Sequence, residues 1–113
     1  MRRLTRLMGN SLHTMALAHF VLTGAVLFVL GVIGFLSRRN LIIMFLCTEM
    51  MFQGVVVTLV AFSRFHLNDT GQTFVIFVLT IAAAEAALAL GLVVLLFRHK
   101  RTLDAQVWAE LKG

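Results

Sequence analysis

The chain is 113 residues long, 60% hydrophobic and only 13% charged, with a formal net charge of +5. A body of that size and apolarity forms one domain and has too little polar surface to cover itself as a soluble globule. The basic residues sit in small groups at the ends of apolar runs, with no basic face interleaved with aromatics, which excludes a nucleic-acid binder and makes the lipid bilayer the expected solvent.

In chain order, Met1-Arg2-Arg3-Leu4-Thr5-Arg6 has the charged start of a signal peptide. The apolar stretch behind it is too long for one and lacks a small-x-small cleavage site, so it reads as a retained anchor. Residues 1–15 are taken as an N-terminal extension, dispensable if translation starts at Met15. Residues 16–101 form the membrane domain, with apolar spans at about 16–36, 41–63 and 73–97. Each is long enough, at about 1.5 Å per residue, to cross a hydrocarbon core near 30 Å. The chain contains no proline, so each span can be one continuous helix with its backbone groups paired internally. Ser37-Arg38-Arg39-Asn40 joins the first two spans and residues 64–72 join the second pair. Links this short require antiparallel neighbours, predicting an all-α, three-helix, up-down-up membrane protein. Arg38, Arg39, Arg98, Lys100, Arg101 and Lys112 collect on one side, against Arg2, Arg3, Arg6 and Arg64 on the other. The richer side is expected in the cytoplasm with the C-terminus, leaving the N-terminus outside.

Within the spans, Gly24, Gly31 and Gly34 offer flat surface for a neighbouring helix. The single cysteine, Cys47, is expected to be an inert small filler. His19, His66 and His99 lie at span ends or in polar flanks and are expected to be solvated. Residues 102–113 form a tail, amphipathic or simply polar, in which Thr102 could cap a short helix bearing Leu103, Val107 and Leu111, with Trp108 near the headgroups.

The chemistry concentrates in two acids. Of five acidic residues, Glu49 and Glu85 fall inside apolar spans, where a carboxylate is costly unless something compensates it. Glu85 lies at the middle of its span, and Glu49 lies about 4–5 Å from the middle of its own, toward Arg38 and Arg39. The two therefore share a depth on antiparallel helices, although their facing is not readable from sequence. Hydrocarbon disfavours the charged form, so a proton-carrying carboxyl becomes accessible, able to load and release its proton as a nearby charge or water file changes. No lysine or arginine inside a span can neutralise either acid. Gln53 falls one turn beyond Glu49 on the same face and can donate to it. Around Glu85, Ile81-Ala82-Ala83-Ala84-Glu85-Ala86-Ala87-Leu88-Ala89 and Gly91 leave room for close helices and for water. A structural role, with the acids merely bonding helices together, is the bland alternative. There is no CxxC, glycine-rich phosphate loop, HExxH or nucleophile elbow, so redox or hydrolytic chemistry is expected from partners.

Arg38-Arg39-Asn40, Glu49-Met50-Met51, Val60-Ala61-Phe62-Ser63, Gly71-Gln72 and the run Phe77-Val78-Leu79-Thr80-Ile81-Ala82-Ala83-Ala84-Glu85-Ala86-Ala87 together resemble the K-subunit (4L-type) family of proton-pumping NADH–quinone oxidoreductase, respiratory complex I. The likeness covers about residues 15–113. It implies a non-redox, multi-pass subunit of the bacterial inner membrane, set among A-, J-, N- and H-type neighbours. It also implies that Glu49 and Glu85 join a hydrated charged axis, with Arg38 and Arg39 supporting coupling from a cytoplasmic loop. NADH, FMN, iron–sulfur clusters and quinone would belong to other subunits, with no cofactor bound by this chain. The stretch Met50-Met51-Phe52-Gln53-Gly54 departs from that family's usual Leu-Met-Leu-Asn-Ala, so the hydrogen bonding around Glu49 is expected to be rearranged through Gln53. The small three-helix subunit of a multi-subunit cation/proton antiporter, distantly similar, is the alternative class.

Overall fold

A computed structural model describes residues 1–100 and 104–110 of the chain. Within them run α1 (Arg2–Ser37), α2 (Leu41–Phe65), α3 (Thr70–Lys100) and a short α4 (Ala105–Glu110). The first three are long and apolar enough to cross a membrane. Each runs past the apolar span that announced it, because a helix stops at a stop signal and not where its side chains turn polar. The extension shows this best. Residues 2–15 continue α1 without a break, almost wholly exposed, and the hydroxyls of Thr5, Ser11 and Thr14 donate to the carbonyls of Met1, Leu7 and Asn10 at 3.0, 3.0 and 2.9 Å. At 36 residues α1 is about 54 Å long, well beyond the thickness of a hydrocarbon core.

The stops are local. Arg38 turns extended and its backbone N–H closes α1 on the Gly34 carbonyl at 3.1 Å. Asn40 then caps α2, its Oδ1 accepting from the Ile42 N–H at 2.9 Å. At the other end of α2, the Asn68 N–H reaches the Ser63 carbonyl at 3.1 Å and the Leu67 N–H reaches that of Arg64 at 3.3 Å. This is a Schellman closure, and it puts Leu67 in the left-handed region at φ 53 where glycine is usual. The Ser63 side chain, 3% exposed, donates to the Asn68 carbonyl and pins the turn from inside. The connector to α3 is therefore only residues 66–69, and Asn68 Oδ1 accepts from the Thr70 N–H at 3.2 Å to start α3.

α2 is the middle helix: α1 packs along it on one side and α3 on another, while α1 and α3 share no comparable contact. The α1–α2 seam is made by glycine. A Cβ placed on Gly24 would lie 2.7 Å from the Gly54 carbonyl oxygen, and one on Gly54 would lie 2.6 Å from that of Gly24. Further along, Gly31 meets the Cys47 carbonyl (2.8 Å to an added Cβ) and Gly34 meets Cys47 Sγ (2.6 Å). The expected packing role of the three first-span glycines and of Cys47 as filler is thus what the structure holds. The pairing order, Gly24 with Gly54 and Gly34 with Cys47, makes the helices antiparallel. On α3, Ala82 and Ala89 are buried at 7% and 6% exposure, two turns apart on one face. Gly91, grouped with them in the sequence, has open space where a side chain would go.

Two outcomes follow. Gly54→Val should force α1 off α2, since backbone cannot retreat as a side chain can, costing about 1–3 kcal/mol; thermal unfolding of the purified chain in detergent reads it as a lowered midpoint. Leu67→Gly should do the opposite, removing about 1 kcal/mol of left-handed strain from a residue 90% exposed and without packing to lose; the same assay should show a raised midpoint.

Candidate functional site

The α2–α3 interface is open where the α1–α2 seam is closed. Between α2 and α3 lies a groove of about 510 Å³. Its walls include Ile42, Phe45, Thr48 and Phe52 from α2 and Leu79, Ala82, Ala86 and Val93 from α3. Both Glu49 and Glu85 line it. In an antiparallel pair, Ile42 with Val93 marks one end and Phe52 with Leu79 the other, so the two acids fall between them at a common level. The sequence left the facing open; here both glutamates line one apolar groove, Glu49 exposed and Glu85 half-buried. Alanine makes the room. Ala82, Ala83, Ala86 and Ala89 put four methyl-sized side chains on the α3 wall beside Glu85, with Leu79, Leu90 and Val93 toward its ends.

The acids differ in their partners. Gln53 Nε2 donates to Glu49 Oε1 at 3.1 Å, the contact expected from their one-turn spacing. An amide donor on one oxygen suits both protonation states of a carboxyl, because the proton can occupy the other oxygen. Thr48, adjacent to Glu49, is occupied elsewhere, its hydroxyl donating to the Met44 carbonyl at 3.0 Å. Glu85 is half-buried, and among the described residues neither acid forms an ion pair. No group of three or more histidine, cysteine or acidic side chains is close enough to hold a metal ion among the described residues.

Arg38 and Arg39 stand apart from the groove, on the connector that precedes α2. Arg38 is exposed. Arg39 is engaged, its Nη1 donating to Gln106 Oε1 of α4 at 2.7 Å. The tail thus folds back on the connector, a contact the sequence reading did not find. Asp104, not Thr102, caps α4, its Oδ1 accepting from the Gln106 N–H at 2.9 Å; Thr102, Leu103 and Leu111 lie outside the described residues. The signal available was two good capping residues, Asn40 and Asp104, beside two helix ends at the same side of the molecule. His66, expected to be merely solvated, stacks on Phe62 at 6.3 Å and meets Phe65 edge-on at 5.3 Å. A second, larger recess at the opposite end of the molecule is lined by His13, Phe20, Arg64, Asn68 and Asp69 among others.

Three helices long and apolar enough to cross a membrane, packed through small residues, define the class as an α-helical membrane protein. Comparison narrows it: the chain belongs to the family described as NADH-ubiquinone/plastoquinone oxidoreductase chain 4L, whose model matches residues 19–113. Among similar proteins are those named NADH-quinone oxidoreductase subunit K of Bordetella avium, 48% identical over 88% of this chain and 99% of its own length, and of Nitrosomonas europaea, 48% identical over 87% and 98%. That of Bordetella petrii is 46% identical over 88% of this chain and 99% of its own length. The resemblance drawn from the sequence motifs is therefore correct.

The shared cleft can be checked chemically. A hydrophobic carbodiimide, which reacts with protonated carboxyls from the apolar phase, should modify both Glu49 and Glu85. Ala86→Trp, filling the cleft between them, should lower labelling of both by about tenfold, the scale of one lost kilocalorie or more in access. Peptide mass spectrometry that found only one of the two protected would separate the acids into different environments.

Proposed function

We propose that this chain is a membrane-arm subunit of a proton-translocating NADH–quinone oxidoreductase, in which Glu49 and Glu85 pass a proton or its charge between helices. The observation that carries the reading is the placement of both carboxyls in one apolar cleft without an ion-pair partner among the described residues. A carboxyl can both accept and donate a proton, and an ionisable group within a membrane-spanning helix is by default a candidate for ion or proton movement. Gln53 steadies Glu49 through one oxygen and leaves the other for the proton. Electron transfer, with NADH, FMN, iron–sulfur clusters and quinone, belongs to other subunits. This chain contributes the response to the field that such chemistry creates.

In this reading the helices stand up-down-up in the bacterial inner membrane, with the N-terminus outside and the C-terminus in the cytoplasm. The Arg38–Arg39 connector and α4 then share the cytoplasmic side, in keeping with the excess of lysine and arginine there. The exposed faces of α1 and α3 are surfaces for A-, J-, N- and H-type neighbours and for lipid.

Glutamine keeps the hydrogen bonding of glutamate but cannot lose a proton, so it divides a relay from a structural acid. In the assembled complex reconstituted in liposomes, Glu85→Gln should lower NADH-driven proton uptake and the linked quinone reduction. Glu49→Gln should lower them further, by about tenfold or more, the scale at which a positioned proton carrier contributes. Subunit content of the complex should stay unchanged. Normal uptake in the double Glu49→Gln, Glu85→Gln variant would leave the acids as helix-bonding groups only. Sodium-dependent transport without NADH-linked activity would instead place the chain in a cation/proton antiporter.

A further inference from the structure

We propose that α4 is a clamp on the α1–α2 connector, and that Gln106 is a positioning residue which holds Arg39 at the N-terminal end of α2. The proposal rests on the reading of Glu49 and Glu85 as proton carriers and names a device that sets their geometry.

Two hydrogen bonds join stretches nearly seventy residues apart in the chain. Arg39 Nη1 donates to Gln106 Oε1 at 2.7 Å, and the Ala105 N–H donates to the Arg39 carbonyl at 3.0 Å, the latter forming part of the isolated antiparallel bridge that pairs Asn40 with Asp104. The first fixes the side chain of Arg39 and the second its backbone. Asp104 also accepts from the Gln106 N–H at 2.9 Å, so the residue that caps α4 orients the residue that holds the arginine.

The chemistry of the partner matters. An exposed arginine left alone samples many rotamers, and a carboxylate partner would hold it only by cancelling its charge. Glutamine's carbonyl oxygen holds the guanidinium and leaves it fully charged. Glu110, the acid on the same short helix, is not the residue the arginine contacts. A charge kept whole and kept still is what a source of field requires. Arg39 immediately precedes Asn40, the cap of α2, so its charge adds to the positive end of that helix's dipole. Glu49 is nine residues further on, about 13–14 Å along the axis.

The clamp also closes the groove's frame. At one end α2 and α3 are joined directly by residues 66–69. At the other end no chain segment links them. There α3 leads on to α4, and α4 is tied to the connector at the start of α2. The tie of α4 to the connector thus lies at the end of the groove nearer Ile42 and Val93.

The test is a double-mutant cycle in the assembled complex in liposomes, read by NADH-driven proton uptake and by hydrogen–deuterium exchange of the peptides covering residues 38–44 and 104–110. Arg39→Ala and Gln106→Ala should each lower uptake about three- to fivefold, the scale of one hydrogen bond to a charged group at a partly exposed site. The double variant should be no worse than the poorer single one. Both single variants should speed exchange in both peptides. Gln106→Glu, which keeps an acceptor oxygen, should restore slow exchange. Multiplicative losses in the double variant, or unchanged exchange in the connector peptide of Gln106→Ala, would overturn the clamp. Glu49→Gln in the same liposomes separates the two ideas. If it is silent the relay reading fails while exchange still judges the contact; if it is impaired and the cycle is additive, the clamp alone fails.

Discussion

An ionised carboxyl in hydrocarbon is so unfavourable that its location dictates how everything around it is built. This chain sets two glutamates, at one level, along one apolar cleft between helices long enough to cross a membrane. A purely apolar three-helix protein could pack its helices edge to edge and have no cleft at all. Here the alanines of α3 hold a space open beside Glu49 and Glu85 where larger side chains would have filled it.

The two interfaces of α2 show the contrast in one molecule. Against α1 it is sealed by reciprocal glycine contacts, Gly24 with Gly54 and Gly31 with the backbone at Cys47, which bring the backbones into van der Waals range. Against α3 it touches closely at Gly71 near one end, where an added Cβ would lie 2.9 Å from that of Ser63, and through Ala82 and Ala89. Elsewhere it stands off. The same helix thus has a tightly sealed side against α1 and a roomier side, bearing Glu49, against α3.

How much of this was legible follows from what each feature depends on. Helix number and antiparallel order depend on length, hydropathy and short connectors, all of which are linear in the sequence, and those readings agree with the structure. The Glu49–Gln53 hydrogen bond is a one-turn contact and was equally visible. Boundaries were less so: the 16–36 span became a helix from Arg2, because nothing in Leu4, Leu7, Met8 or Leu12 terminates a helix even though arginines interrupt the apolarity. The common facing of Glu49 and Glu85 depends on the rotation of two helices about their axes. On α3, where apolar residues surround the helix, no polar stripe exists to fix that rotation in advance. The contact of Arg39 with Gln106 was out of reach for another reason, since it joins two polar segments whose only sequence mark is that each can cap a helix.

The groove is open along one side, which bears on what completes it. Lipid tails offer no hydrogen-bond partner, so a wall made of them would add none for Glu85. A neighbouring helix carrying a lysine, a histidine or another acid would instead make the cleft an interior, closed against the α2 and α3 walls of this chain. Such an arrangement fits the exposure on α3 of small residues outside the groove, Ala84, Ala87 and Gly91 among them. Small residues at a helix surface are wasted on lipid, where leucine packs as well, and are valuable where another backbone must come close. The distribution of alanine on α3 is therefore that of a helix built to be covered on more than one side, with the acid at its centre left for the last helix to enclose.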